Sequence, residues 1–199
     1  MKRILVILGH PKTESYSGSL AQAYVNGARK GDAIIKYVKL AELKFEAIRP
    51  KKELERDLQK MQKLILWAEH IVFVYPTWWG SAPALLKGFF DRVFTPGFAF
   101  RYRKNGLGWH RLLKGRSARM IVTTGGPWLL NHIAYHNSHI NAIKWATLWF
   151  AGFWPVRVTE FNGLDTHWVH EKKRKRWLAK TEKIGRSDAR ESVKFSWLE

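Results

Sequence analysis

Ile4-Leu5-Val6-Ile7-Leu8-Gly9-His10-Pro11 is apolar and rich in branched side chains until it breaks at a glycine and a proline. The apolar run is too short for a helix and reads as a strand buried on both faces of a parallel sheet. A polar loop follows to Ser17, after which Leu20, Ala21, Tyr24, Val25 and Ala28 recur at helical spacing and Gly31 closes the helix. Ala33 to Leu40 predicts a second strand. Pro50 suits the first turn of a helix carrying Leu54, Leu58, Met61, Leu64, Ile65 and Ala68 on one side. Ile71 to Tyr75 is a third strand stopped by Pro76, and Ala84 to Phe94 a helix broken by Thr95-Pro96-Gly97. Ala118 to Thr123 gives a fourth strand, 131–150 a mostly helical stretch, Val156 to Phe161 a fifth strand, and Val169 to Ile184 a final amphipathic helix. Residues 98–116 read as a long basic connection, of a length usually tied to function or mobility. Strands alternating with helices imply a doubly wound α/β fold, a five-stranded parallel sheet of order 2-1-3-4-5. The expectation is one domain over 1–199, with 185–199 a polar C-terminal tail.

Composition narrows the classes. The 199 residues hold Lys+Arg 35 against Asp+Glu 16, a net +19, with 46% hydrophobic residues and no cysteine. The chain can bury a core, and it excludes disulfide scaffolds, thiolate metal sites and a catalytic thiol. The apolar run after Met1-Lys2-Arg3 has no small-residue cleavage site behind it, and no run approaches the ~18 residues of a membrane span, so a cytoplasmic protein is expected. The charge would attract nucleic acid, anionic lipid or anionic small molecules without choosing among them. It concentrates in Arg101, Arg103, Lys104, Arg111, Lys114, Arg116 and Arg119 and in the run Lys172-Lys173-Arg174-Lys175-Arg176. Both blocks read first as solvated surface. Several of the 11 tryptophans lie beside basic residues, yet no helix-turn-helix, zinc-finger or RNA-platform pattern accompanies them, so nucleic-acid binding is not expected.

In a doubly wound sheet the ligand sits beyond the carboxyl ends of the strands, at the switch point. The first strand ends there in Gly9-His10-Pro11-Lys12-Thr13-Glu14-Ser15-Tyr16-Ser17, running into a helix N-terminus. Free N–H groups, two serine hydroxyls and an imidazolium would make a phosphate cradle; helix capping by Ser15 or Ser17 explains the same residues. The third strand ends in Tyr75-Pro76-Thr77-Trp78-Trp79-Gly80-Ser81-Ala82-Pro83, where paired indoles suit a wall for a flat aromatic ligand, or packing in a core or interface. The fourth ends in Thr123-Thr124-Gly125-Gly126-Pro127, whose glycines allow close approach of backbone to a ligand, or simply a turn. All three fall at one sheet edge.

The stretch from Tyr75 to Phe100, with its Trp78-Trp79, Pro83-Ala84, Leu86-Lys87-Gly88, Asp91-Arg92-Val93-Phe94 and Gly97-Phe98-Ala99, resembles the flavodoxin-like NAD(P)H:quinone oxidoreductase family, which includes ancillary subunits of bacterial potassium-efflux systems. The resemblance runs from Ile4 to about Gly126 and returns weakly at Gly152-Phe153-Trp154. It implies a bound flavin, FMN or else FAD, with His10, Ser15, Tyr16 and Ser17 around its phosphate. Pro76, Thr77, Trp78 and Trp79 would lie along the isoalloxazine, and Thr124, Gly125 and Gly126 at its pyrimidine end. It further implies NADH or NADPH as co-substrate, a quinone or similar acceptor, two-electron hydride transfer in a ping-pong cycle, and a homodimer with the site at the subunit boundary. The arginines of 101–119 would suit the extra phosphate of NADPH. The alternative reading is an ancillary or regulatory subunit docking on an anionic membrane or a membrane transport protein through its basic segments.

The chain departs from the family at the tyrosine and histidine that assist hydride transfer in the longer animal-type enzymes. Asn131 and about Asn137 stand at those positions, while Tyr135 and His136 lie close but out of register and are the candidate catalytic pair. His132, His136 and His139 at i, i+4, i+7 would share one helical face, a spacing open to metal binding, pocket lining or a subunit contact. No carboxylate lies within that stretch, and no metal is expected.

Overall fold

The computed structural model describes residues 1–48, 53–104 and 106–191. Five strands form one parallel sheet: β1 (Arg3–Leu8), β2 (Ile34–Lys39), β3 (His70–Thr77), β6 (Ser117–Thr124) and β7 (Val156–Phe161), in the order β2-β1-β3-β6-β7. Counted among themselves these strands run 2-1-3-4-5, the predicted order. The two short strands β4 (Phe100–Tyr102) and β5 (Trp109–Arg111) pair antiparallel outside that sheet.

Side chains alternate across a strand, and the core divides accordingly. Leu5, Ile7, Ile71, Phe73 and Tyr75 pack on one face with α2 (Arg56–Trp67), α3 (Ala84–Val93) and the 140–153 segment that includes the end of α4 (Ser138–Ile143). Ile4, Val6, Leu8, Val72 and Val74 pack on the other with α1 (Tyr16–Arg29) and α5 (Glu171–Arg190). Central strands β1 and β3 therefore need unbroken apolar runs. The outer strands β2 and β7 carry Lys36, Lys39, Arg157 and Glu160, charges that also discourage pairing at an open edge. Helices α1 and α5 come together at glycine: a Cβ on Gly27 would lie 1.8 Å from the Glu182 carbonyl oxygen, and one on Gly185 2.3 Å from that of Tyr24.

The structure corrects four expectations. The 98–116 connection is the β4–β5 hairpin, anchored where Leu113 N–H donates to the Ala151 carbonyl and Leu112 N–H to that of Ala99. The 131–150 helix is interrupted: wide π-type turns span Leu130–Ala134 and Lys144–Trp149, and His136 and Asn137 take left-handed φ of 46° and 54°. Two consecutive residues in that region end any helix, so His132, His136 and His139 do not share a helical face. The last helix continues through Arg190, with Gly185, Asp188 and Ala189 buried, so the polar tail does not begin at 185; residues 192–199 lie outside the described residues. Helix α2 starts at Arg56, and Pro50 also lies outside them. Among the described residues no helix is long and apolar enough to cross a membrane.

The buried end of α5 is held by charge. Asp188 receives both Arg119 nitrogens, Nε at 2.6 Å and Nη2 at 2.8 Å, and the Tyr24 hydroxyl at 2.9 Å. His70 Nε2 lies 3.4 Å from the same carboxylate, and its Nδ1 is 2.7 Å from the Ser117 hydroxyl. These groups sit at the amino ends of β3 and β6, opposite the predicted ligand edge.

Candidate active site

At the carboxyl edge, β1 runs into Gly9, whose N–H donates to the Val74 carbonyl at 2.8 Å and extends the pairing with β3. The next loop closes on the start of α1, where the Ser15 hydroxyl accepts from Gly18 N–H at 3.1 Å. A helix start leaves its first N–H groups without intrahelical partners, and those of Tyr16 and Ser17 donate to no group among the described residues. The Ser15 hydroxyl and these N–H groups lie together at the helix start. The other three side chains predicted there each meet a partner within the chain. Ser17 is buried, its hydroxyl 3.2 Å from that of Thr123, and ties α1 to β6. The Tyr16 hydroxyl donates to the Arg174 carbonyl at 2.9 Å, and burial pushes its pKa up to about 12. Burial lowers the pKa of His10, whose Nδ1 lies 2.9 Å from the Lys12 N–H and 2.8 Å from the Lys12 carbonyl oxygen.

His10 also joins two loops, meeting Trp78 edge-on with ring centroids 5.6 Å apart. Trp78 begins a two-residue turn in which Trp78 and Ser81 exchange backbone hydrogen bonds at 2.9 and 3.0 Å. Trp79 and Gly80, at its tip, have φ of 50° and 65°. A tryptophan in the left-handed region is sterically costly, and Trp79 is also fully solvent-exposed while Trp78 is half-exposed. The indoles are therefore surface features of the ligand edge, not core. Beneath them the Thr77 hydroxyl oxygen is buried with no hydrogen-bond partner among the described residues.

The third loop is fixed from behind. Thr124 donates to Asn162 Oδ1 at 2.7 Å, and the Asn131 amide donates to Thr124 Oγ1 and Asn162 Oδ1, each at 3.1 Å. The carbonyls of Thr124, Gly125 and Gly126 accept from the N–H groups of Leu164, Asp165 and Gly163 at 2.9, 3.3 and 2.8 Å. With their carbonyls spent on this ladder, Gly125 and Gly126 keep N–H groups that donate to nothing among the described residues. A Cβ at Gly125 would lie 2.1 Å from Asp165 Oδ2, so a larger residue there would have to push that exposed carboxylate aside.

The segment after Gly126 folds back over the edge. Ser138 donates to the Gly80 carbonyl at 2.8 Å, and a Cβ on Gly80 would meet the Tyr135 ring at 3.9 Å. Tyr135 is therefore brought to the tryptophan turn. His136 is exposed, and its carbonyl accepts from the Asn141 side-chain amide. His132 and His139 converge instead on Glu160, with Nε2 at 3.5 and 3.2 Å from its oxygens. Ser138, Asn162, Asp165 and Glu160 carried no local sequence signal; β7 and its loop deliver the last three to the edge through sheet order.

A family model described as flavodoxin-like fold matches residues 2–184. The chain belongs to this flavodoxin-like family. A flavodoxin-like relative, ribosyldihydronicotinamide dehydrogenase (quinone) of Pongo abelii, is 28% identical over 181 residues, covering 76% of this chain and 78% of that protein. A solved Streptococcus mutans structure is 27% identical, covers 93% of this chain and 99% of that chain, and has a TM-score of 0.80. The NAD(P)H:quinone oxidoreductase of Methanothermobacter marburgensis, 22% identical over 96% of this chain and 99% of its own, shares the fold with a TM-score of 0.82. Groups of a kind that fits a bound flavin lie in three loops: unused N–H groups at the start of α1, a hydroxyl at Thr77 with no partner among the described residues, and unused N–H groups at Gly125 and Gly126.

Proposed function

We propose that the protein is a flavin-dependent NAD(P)H:quinone oxidoreductase, FMN being the favoured flavin, in which NAD(P)H and then a quinone occupy the same site in turn. The observation that carries this reading is the convergence of unused backbone donors and exposed indoles on one edge. The names of the related quinone dehydrogenases support the substrate class. FMN is favoured because the chain shows no feature specific for adenine. The flavin when bound would supply two-electron redox chemistry, accepting hydride and passing it to the acceptor.

This chain's residues would do the rest. Ser15 and the N–H groups of Tyr16 and Ser17 would hold the phosphate, favoured by the positive end of α1. Thr77 would hydrogen-bond a polar ring edge, and Trp78 and Trp79 would wall the ring from water. Gly125 and Gly126 would offer N–H donors where negative charge develops. Tyr135 is the candidate side-chain proton donor beside the turn, and His136 its less favourably placed companion.

A homodimer is proposed as well. Trp128, Leu129, Leu130 and Ile133 are exposed next to the site, a patch that a second copy would cover. A cytoplasmic location suits both reactants. Purified protein should be yellow, bleach with NAD(P)H under anaerobic conditions and recolour with a quinone, and the released flavin should have the mass of FMN. Colourless protein that takes up neither flavin nucleotide overturns the reading.

A further inference from the structure

The β4–β5 hairpin shapes a second concavity of about 580 Å³, lined by Arg103, Gly108, Trp109, His110, Arg111, Leu112 and Lys114. Helix α3 runs back from the carboxyl edge and β6 starts at the opposite one, so the hairpin between them lies at the amino edge. It lies away from the Thr124–Gly126 loop of the same chain. We propose that this cleft is a binding site for a small molecule carrying several linked phosphates, a nucleotide or inositol polyphosphate.

Its lining has no carboxylate, and Arg103, Arg111 and Lys114 form no ion pair among the described residues. Gathering such cations around one hollow costs self-repulsion that a bound anion relieves. The walls are already rigid. Trp109 stacks on Phe150 at 4.3 Å, 15° from parallel, and its Nε1 donates to the Phe150 carbonyl at 2.8 Å. The Arg111 guanidinium lies 3.7 Å over the Trp149 ring, so less side-chain freedom remains to be lost on binding.

The volume falls in the range of small-molecule pockets, far above the need of one phosphate. Two guanidiniums, each able to grip a phosphate in two-point fashion, together with a lysine call for more than one phosphate group. A concave cleft suits a small molecule, whereas duplex nucleic acid or a lipid surface would need the cations on a ridge.

The test is calorimetric titration of sodium tripolyphosphate into the full-length protein in metal-free buffer. One site per chain is expected, with affinity falling as salt rises. R103Q/R111Q should weaken binding at least tenfold, while K172Q/R176Q, which removes the same charge from α5, should change it less than twofold. Hydrogen exchange supplies a reading that does not depend on the variants: tripolyphosphate should protect residues 108–114. ATP and inositol hexakisphosphate, titrated as competitors, should displace it, and the tighter of the two identifies the source. Equal weakening in both double variants, protection elsewhere without protection of 108–114, or displacement by neither competitor overturns the proposal.

Discussion

The Ser138 hydroxyl donates to the Gly80 carbonyl at 2.8 Å, joining the segment after β6 to the turn that holds Trp79 outward. The turn keeps a bulky residue in the left-handed region, a conformation that lasts only where its surroundings hold it. One neutral hydrogen bond contributes about 1 kcal/mol. Ser138→Ala should therefore leave the melting temperature within a few degrees of the parent. The turn should become more mobile, seen as faster amide hydrogen exchange at residues 78–81. Unchanged exchange there would show that the turn holds itself.

Ser15 and Ser17, both placed in the predicted cradle, should separate experimentally. Ser15→Ala removes the cap of α1 and a half-buried hydroxyl, costing about 1 kcal/mol of stability and weakening flavin retention. Ser17→Ala removes a buried link to Thr123, costing about 1 kcal/mol with flavin retention kept. Equilibrium dialysis with FMN and urea melts on both variants check the contrast, and equal loss of FMN in both would place the Ser17 side chain back in the cradle.

Much of this edge is legible in the chain because strand periodicity and turn residues are local signals. Ile4 to Leu8 and Ile71 to Tyr75 read as buried strands, and once the strands are ordered, the loops at Gly9, Pro76 and Gly125 must meet. Side-chain destinations are not local. Whether Tyr16 faces a ligand or the Arg174 carbonyl depends on a helix that arrives from 158 residues away. The 98–116 hairpin is held partly by Ala151, far outside any window that its own residues define. The break at His136-Asn137 escapes notice because neither residue is glycine or proline. Asp188 lies in a stretch that is polar throughout, and only its buried partners Arg119, Tyr24 and His70 show that α5 continues inward.

Tyr135 and His136 are expected to differ in consequence. Tyr135 stands against Gly80 in the turn, and His136 is exposed, its ring hydrogen-bonded to nothing among the described residues. Hydride transfer depends on alignment more than on a protein acid, so neither loss should be total. Tyr135→Phe should slow anaerobic bleaching by NAD(P)H less than about a hundredfold, the lower bound for general acid–base help, and His136→Ala less still. A larger loss of bleaching rate in His136→Ala than in Tyr135→Phe, with flavin still bound, would reverse this order and make the imidazole the donor.

The buried charges around Asp188 set how the fold responds to acid. Burial alone would raise the Asp188 carboxyl, but the Arg119 guanidinium and His70 override it and hold it well below the usual carboxylate range. Its contribution is thus complete above about pH 4 and is lost as pH falls toward the depressed value. Burial lowers His70, despite the neighbouring carboxylate, so the unfolded chain takes up a proton at higher pH than the native one. Stability should fall as pH drops below about 6.5, with His10, also lowered by burial, adding to the same limb. Urea melts between pH 7.5 and 4.5 should show this slope, reduced but not removed in His70→Gln because His10 remains. Asp188→Asn leaves Arg119 buried without its counter-charge and should cost about 3–5 kcal/mol at pH 7, an upper range set by fully buried pairs. A slope identical in His70→Gln and the parent would mean that His70 is protonated in the native state, making its contact with Asp188 an ion pair.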